Sequence, residues 1–415
     1  MTTTLHADVL ILGGGIAGLW TLARLRSLGF ACVLVESAAL GAGQTIASQG
    51  IIHGGLKYAL DGQVGSAASA IAAMPEVWRA CLRGDAGAPV DLRGVPVLSD
   101  HYYYWTSPGV MSRLAGAGAS KVMRTAVERV PATERPGPLR DAPTGMNGVD
   151  VYRVGELVLD ARALVARLAE IGRGCIVHGE PAPSVEPWRG GSPLRMRCYD
   201  GREFEVRPSA VVLAAGAGNE GLLTRFILNA ADALPVRTQR RPLHMVMLRC
   251  APGAFFGHCV GTSSSPRLTI TSGVPADTGE SVWYIGGQVA ESGVARAPRE
   301  QIAATRRELT ECMPWLNLPD ATRWATLRID RAEGVPPSSG LLPGLRPELP
   351  VVARSGRVLA AWPTKLAFAP LLADEVAREL EAAGVSPRAD GALNPALPAP
   401  PVAAHVWDRE GVEWS

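Results

Sequence analysis

The chain has 415 residues, 47% hydrophobic and 19% charged, enough for two domains or one two-lobed unit and too apolar for a disordered protein. A formal net charge of +2 excludes the basic surface that nucleic-acid or polybasic membrane binding needs. Seven dispersed cysteines without CxxC or metal-ligand spacing predict reduced thiols and no metal site.

The first predicted elements form one unit. Asp8 to Leu12 is a short apolar run, and Gly13, Gly15 and Gly18 follow in the G-x-G-x-x-G spacing. Ile16 to Leu28 carries apolar residues at helical intervals, and Gly29 stops it. Cys32 to Val35 is a second apolar run that ends at Glu36. Strand, tight turn, helix, strand and acid make the dinucleotide-binding βαβ unit. In it Gly13 permits the turn and Gly15 lets backbone amides approach a pyrophosphate. Gly18 lets the helix lie close to the strand. The helix N-terminus, with Ile16 and Ala17, favours phosphate charge. Glu36 can accept from a ribose 2′-hydroxyl and would repel a 2′-phosphate. The unit does not distinguish FAD from NAD.

Ser37 to Leu60 is rich in glycine and small polar residues, with no basic residue before Lys57. Such a segment suits backbone passing close to a ligand. Ser37, Gln44, Thr45, Ala47, Ser48, Gln49, Gly50 and Ile51 are its candidate cofactor contacts. Val64 to Arg83 predicts a helix, and Leu92 to Trp105 predicts strands ending in the aromatic cluster His101–Trp105. Ser112 to Arg140 predicts a short helix and a solvent-facing Pro-rich stretch. Asp150 to Leu159 reads as strand. A helix over Asp160 to Ile171 follows, with Asp160 as N-cap. Cys175 to His178 is a strand, and two short strands flank Asp200-Gly201. Ala210 to Asn219 is an apolar strand that runs into small residues, among them Ala215 and Gly216. From Leu234 to Leu327 alternation predicts a second lobe with a mixed or antiparallel sheet and one helix at Pro298 to Cys312. A strand over Arg323 to Ile329, a strand pair around Ser355-Gly356 and a helix over Leu366 to Ala383 complete the pattern. The tail is either loose or a surface strap.

The motif order resembles the D-amino-acid-oxidase (DAO) superfamily of FAD enzymes. SQGIIHGGLKYAL (Ser48 to Leu60) is similar to a stretch of FAD-dependent glycerol-3-phosphate dehydrogenase and of L-2-hydroxyglutarate oxidase. AAGAGN (Ala214 to Asn219) resembles the family's second FAD motif, and RWATLRIDRAEGVPPSSG (Arg323 to Gly340) its later substrate-lobe segment. WPTKLAFAP (Trp362 to Pro370) sits where the family turns past the flavin, with Thr364, Lys365 and Leu366 matching the dehydrogenase. The family's glycines at that turn are replaced here by Ala361-Trp362-Pro363. The resemblance implies FAD and an α/β fold: a glutathione-reductase-type FAD-binding Rossmann domain with a second antiparallel or mixed β-sheet substrate domain. The corresponding division is 1–90, 150–230 and 325–400 for FAD, 91–149 and 231–324 for substrate, and 401–415 as tail.

The expected activity is oxidation of a C–N or C–O bond of a small anionic substrate by hydride transfer to flavin, with oxygen or a quinone as electron acceptor. Amino acid or secondary amine and 2-hydroxy acid both stay open. His53 is the candidate base for an alcohol, because imidazole titrates near neutral pH. His244 and His258 are weaker candidates. In the family's alignment Arg328 falls on the arginine that binds a substrate carboxylate or phosphate. Lys365 is expected at the flavin edge or at a substrate anion. A flavin-binding interaction subunit without its own substrate is the alternative. The initial segment lacks a basic signal-peptide region, and no apolar run reaches the roughly 18 residues that span a bilayer. The expectation is a cytoplasmic protein, at most peripheral to a membrane.

Overall fold

The computed structural model describes residues 3–54, 66–107, 128–145, 148–182, 188, 190–226, 234, 236–261, 265–336, 347–388 and 396–415. Two large sheets organise them. The first is seven-stranded and built around β1 (Thr3–Leu12), which runs parallel to β2 (Cys32–Glu36) on one side and β11 (Glu203–Leu213) on the other. β9 (Ile176–Pro181) extends it beyond β2, and β18 (Val358–Trp362) with antiparallel β17 (Val351–Ser355) extends it beyond β11. β10 (Leu194–Cys198) pairs antiparallel with both β9 and β11, forming the expected hairpin at Asp200-Gly201.

Both faces of this sheet are buried, so its strands read as continuous apolar runs and not as alternation. Val9, Ile11 and Leu34 pack under α1 (Ile16–Ser27), α3 (Ala161–Ile171) and α7 (Ala369–Ala382). Leu10, Val33 and Val211 fill the opposite core with Phe204 and Trp362. Asp160 caps α3, its carboxylate accepting from the Ala163 amide at 2.8 Å. α2 (Ser66–Arg83) joins the first core through Trp78, whose indole donates to the Ala367 carbonyl at 2.9 Å.

The second sheet has eight strands in the order β16-β12-β15-β14-β13-β5-β7-β6. These are β16 (Arg323–Val335), β12 (Arg237–Arg249), β15 (Val282–Gly286), β14 (Leu268–Gly273), β13 (Gly257–Val260), β5 (Tyr102–Thr106), β7 (Val151–Val154) and β6 (Glu128–Arg129). All neighbours are antiparallel except β13 and β5. Strand register separates its two faces. Trp105, Ile270, Ile285, Val246 and Trp324 form an outer core under α6 (Pro298–Cys312). Tyr104, His258, Tyr284, Met245 and Leu327 lie on the inner face, which meets the first sheet's core through Met245, Met247 and Tyr284.

A small third sheet, β3 (Ile51–Ile52), β8 (Leu157–Leu159) and β4 (Val97–Ser99), closes one side. α4 (Asn219–Phe226) follows β11, and α5 (Gln288–Glu291) follows β15. Val151–Val154 pairs with β5, and β16 stays beside β12 from Arg323 to Val335, so both strands belong to the second sheet. The part of the expected 112–140 stretch that is described carries two short 3-10 turns, while 108–127 lie outside the described residues, as do 55–65.

The tail is a strap. Leu40 and Val402 form a bridge, and His405 lies 3.4 Å from Asp160 on the first unit. Farther along, Trp407 fills a notch at Gly273, and Arg249 lies over the Trp414 ring at 4.5 Å. Ser415 and Trp324 exchange two backbone hydrogen bonds of 2.8 and 2.9 Å. Ending the chain at Ala404 removes the buried Val406 and the partly buried Trp407 and is expected to destabilise the protein by about 3–5 kcal/mol. Chemical denaturation measures this; an unchanged midpoint would make the strap passive.

Candidate active site between the two sheets

The site starts at the fingerprint turn. Gly13 has φ +113°, and a Cβ there would stand 2.5 Å from Ala215 Cα. A Cβ at Gly18 would stand 1.9 Å from the Gly13 carbonyl oxygen, so the helix can approach the turn only without a side chain. Gly15 differs. A Cβ there meets only Thr45 Oγ1, at 3.2 Å, which leaves open space at the helix N-terminus. Thr45 reaches in from the early loop and accepts from the Ile16 amide at 2.9 Å, capping α1 from outside the helix. Ile16 and Ala17 are buried beneath. Glu36 accepts from the Gly14 amide at 2.5 Å and the Ala38 amide at 2.8 Å, with Ser37 exposed between them.

The early loop ties the two sheets together. Gln44 Oε1 accepts from the Ala332 amide of β16 at 2.9 Å. The Tyr284 hydroxyl donates to the Ala47 carbonyl at 3.1 Å. Gln49 donates to the Thr269 and Tyr284 carbonyls at 3.1 and 3.0 Å. The Gly50 carbonyl accepts from the Leu159 amide at 3.0 Å, and Ile51 packs on Tyr102 and Val158. Ser48 Oγ is buried without a hydrogen-bond partner among the described residues. A polar atom in that position calls for a ligand or water.

The far wall comes from the ends of β11 and β18. Asn219 accepts from the Ala215 amide at 2.8 Å, and Trp362 Nε1 donates to the Gly216 carbonyl at 3.3 Å. Thr364 then takes φ 59°, a left-handed conformation rare for a β-branched residue. The Lys365 amide reaches back to the Pro363 carbonyl at 2.6 Å, and Leu366 opens a 3-10 turn that leads into α7. Lys365 is half-buried, its ammonium 5.3 Å from the Phe368 ring centroid.

His53 follows β3 and lies on the inner face of the second sheet. Its ring is near-parallel to that of His258, at 13° and 6.0 Å between centroids. His258 packs against Tyr102 and Tyr104 and has Nδ1 3.0 Å from Thr269 Oγ1. Burial, and then the charge of His53, push the His258 imidazole well below its usual range, so His258 stays neutral. Burial, then Glu156, raise the Tyr104 phenol, which keeps its proton. Glu156 lies 3.2 Å from His53 Nδ1. Sequence reasoning passed over Glu156; its one signal is a lone acid at a Gly-Glu turn inside the apolar run Val151–Leu159.

Arg328 lies on the other face of the second sheet. It pairs with His244 across β12 and β16, on the face opposite Leu327 and Met245. Its guanidinium donates to the carbonyls of Val294 and Arg296, in the loop before α6. The side chain is therefore committed to the outer face and does not join His53 and Lys365. His244 shares that face: it is fully buried, Nδ1 is 3.0 Å from the Gly293 carbonyl, and burial lowers its imidazole. Single-residue register turns an arginine aligned by motif away from the site.

The chain matches the family of DAO-type FAD-dependent oxidoreductases over residues 8–379, and it belongs to that family. It is 48% identical over 410 residues to a probable FAD-dependent oxidoreductase of Pseudomonas aeruginosa, covering 98% of this chain and 99% of the relative. The crystal structure of a Pseudomonas aeruginosa FAD-dependent oxidoreductase superposes with a TM-score of 0.78 at 43% identity, covering 98% of this chain and 99% of the other. Glycine oxidase from Geobacillus kaustophilus shares the fold, with a TM-score of 0.58 at 17% identity over 95% of this chain and 100% of the other. The FAD-bound L-α-glycerophosphate oxidase of Mycoplasma pneumoniae does so with a TM-score of 0.59 at 15% identity over 91% and 95%. The protein is thus an FAD-dependent oxidoreductase with a Rossmann-type FAD-binding fold. The open space at Gly15 and the unpartnered Ser48 hydroxyl fit that cofactor. Among the described residues no helix is long and apolar enough to cross a membrane.

Two outcomes are expected. Gly15→Val places a side chain where the fold itself leaves room, so the protein should fold and lose FAD; a fully flavinated variant would refute the cradle. Burial lowers the His258 and His244 imidazoles in the fold, His258 the further, so below about pH 6.5 each takes up its proton in the unfolded chain before it does in the folded one. The unfolded state then binds more protons, so stability falls as pH drops below that value, by up to about 1.4 kcal/mol per pH unit for each group. Thermal midpoints between pH 7 and 5 measure the slope, and His258→Gln should flatten it.

Proposed function

We propose that this oxidoreductase takes two electrons from a C–O or C–N bond of a small substrate carrying an anionic group. The observation that supports this reading is His53, set on the inner face of the second sheet and held at one ring nitrogen by a buried carboxylate. Bound flavin supplies the hydride acceptor. The chain's own residues bind and orient the substrate and handle its proton. The inner face offers Leu243, Leu327 and Ile329, partly buried apolar side chains that exclude water from the reacting carbon. His53 receives a proton where the substrate is an alcohol. Lys365 stands before the first turn of the segment leading into α7, where the helix dipole adds positive potential. It is the cation assigned to the substrate's anionic group or to the pyrimidine edge of the flavin. The re-oxidant in this reading is oxygen or a quinone, and the enzyme works in the cytoplasm.

Anaerobic mixing with amino acids, N-methyl amino acids, 2-hydroxy acids and glycerol phosphates tests the reading. One class should bleach the flavin absorbance at millimolar concentration. Lys365→Met should retain FAD and weaken binding of that substrate by about tenfold to a hundredfold, the loss of one charge-assisted hydrogen bond. No bleaching by any member of the panel would sink the substrate assignment.

A further inference from the structure

That reading takes Glu156 only as the buried carboxylate beside His53 and gives it no part in the reaction. It sits in the turn between β7 and β8 with only 3% of its surface exposed. A carboxylate so buried requires hydrogen bonds or charge to offset its lost hydration. Here both oxygens are engaged by consecutive residues of the early loop. Oε2 lies 3.2 Å from His53 Nδ1, and Oε1 accepts from the Gly54 amide at 2.9 Å. The turn is held from behind by Arg79, which donates to the Gly155 carbonyl at 2.6 Å. The His53 ring is stacked on His258 from β13, which packs in turn against Tyr104 from β5. Both are uncharged, so Glu156 is the one ion that directly contacts the ring among the described residues.

We propose that Glu156 is the positioning residue for His53. It keeps the proton on Nδ1, leaves the Nε2 lone pair for a substrate hydroxyl, and so commits the enzyme to C–O oxidation. This rests on the reading of His53 as base. A neutral amine has a lone pair that expels hydride without loss of a proton, and it needs no oriented base. An alcohol must lose its O–H proton as the C–H pair leaves. In that step the O–H and C–H bonds break, and the proton goes to His53 Nε2. The hydride, with two electrons of the substrate, would be taken by the flavin that the cradle holds, and the oxygen electrons form the C=O bond. A carboxylate on the far nitrogen fixes the tautomer for this transfer and stabilises the imidazolium that results.

The flavinated enzyme, labelled with 15N-histidine, reads the tautomer directly, with His53 identified by the signal missing in His53→Gln. An Nδ1–H tautomer is expected in the wild type, and an Nε2–H tautomer there overturns the proposal without any variant. In Glu156→Gln the FAD content should persist and the tautomer should change. Anaerobic flavin reduction by 2-hydroxy acids or glycerol phosphates should slow by about a hundredfold to ten-thousandfold. The Glu156→Gln, His53→Gln double variant should be no slower than His53→Gln, and Glu156→Asp should recover part of the rate and of the Nδ1–H signal. Unchanged reduction in Glu156→Gln overturns the role of Glu156. Bleaching by amines alone overturns the commitment to C–O bonds and leaves the oxidoreductase reading intact.

Discussion

Close approach of backbone to backbone at the end of β1 is the constraint on which the rest of the structure depends. Gly13 lies against Ala215, and α1 lies against Gly13 through Gly18. This contact brings the ends of two parallel strands and a helix N-terminus to one point. Every other feature of the dinucleotide cradle is placed relative to it. Thr45 caps the helix from the early loop, Glu36 closes the turn, and Trp362 ties β18 to Gly216. A side chain at Gly13 or Gly18 would push these elements apart, whereas Gly15 faces space that the protein does not itself fill.

From that point the early loop carries the order outward. Gln44, Ala47 and Gln49 bond to strands of the second sheet, so the segment that leaves the fingerprint also sets the distance between the sheets. The same loop ends at His53, beside Glu156 and His258. Cofactor cradle and candidate base are thus a few residues apart on one tethered segment. The strap of the last residues crosses the same junction, touching Leu40 on one side and Trp324 on the other. Its place there follows from its tryptophans, which have apolar surface to bury at the seam.

Much of this was legible in the chain. The βαβ unit, the helix at Pro298–Cys312, the hairpin at Asp200-Gly201 and the return strand before Ala215 depend on local periodicity and turn chemistry, which the sequence carries directly. The domain boundaries were less legible. β7 and β16 are ordinary strands by pattern, and only their partners assign them to the second sheet. Glu156 was invisible because its meaning comes from residues about a hundred positions away. The place of Arg328 was not legible either, because the face it takes follows from the register of β16 on β12.

By itself, then, the sequence determined the βαβ unit with its glycine turn and offered His53 and Lys365 as candidates, because glycine spacing, helical periodicity and apolar runs are short-range properties; FAD and the fold family came from the order of whole motifs. Tertiary structure alone decided which charged groups meet. It joined His53 to Glu156, kept His258 neutral by burial, and committed Arg328 to backbone carbonyls on the outer face. Pairing across sheets and exclusion of water are long-range effects, and they decide what a given side chain can do in the folded protein.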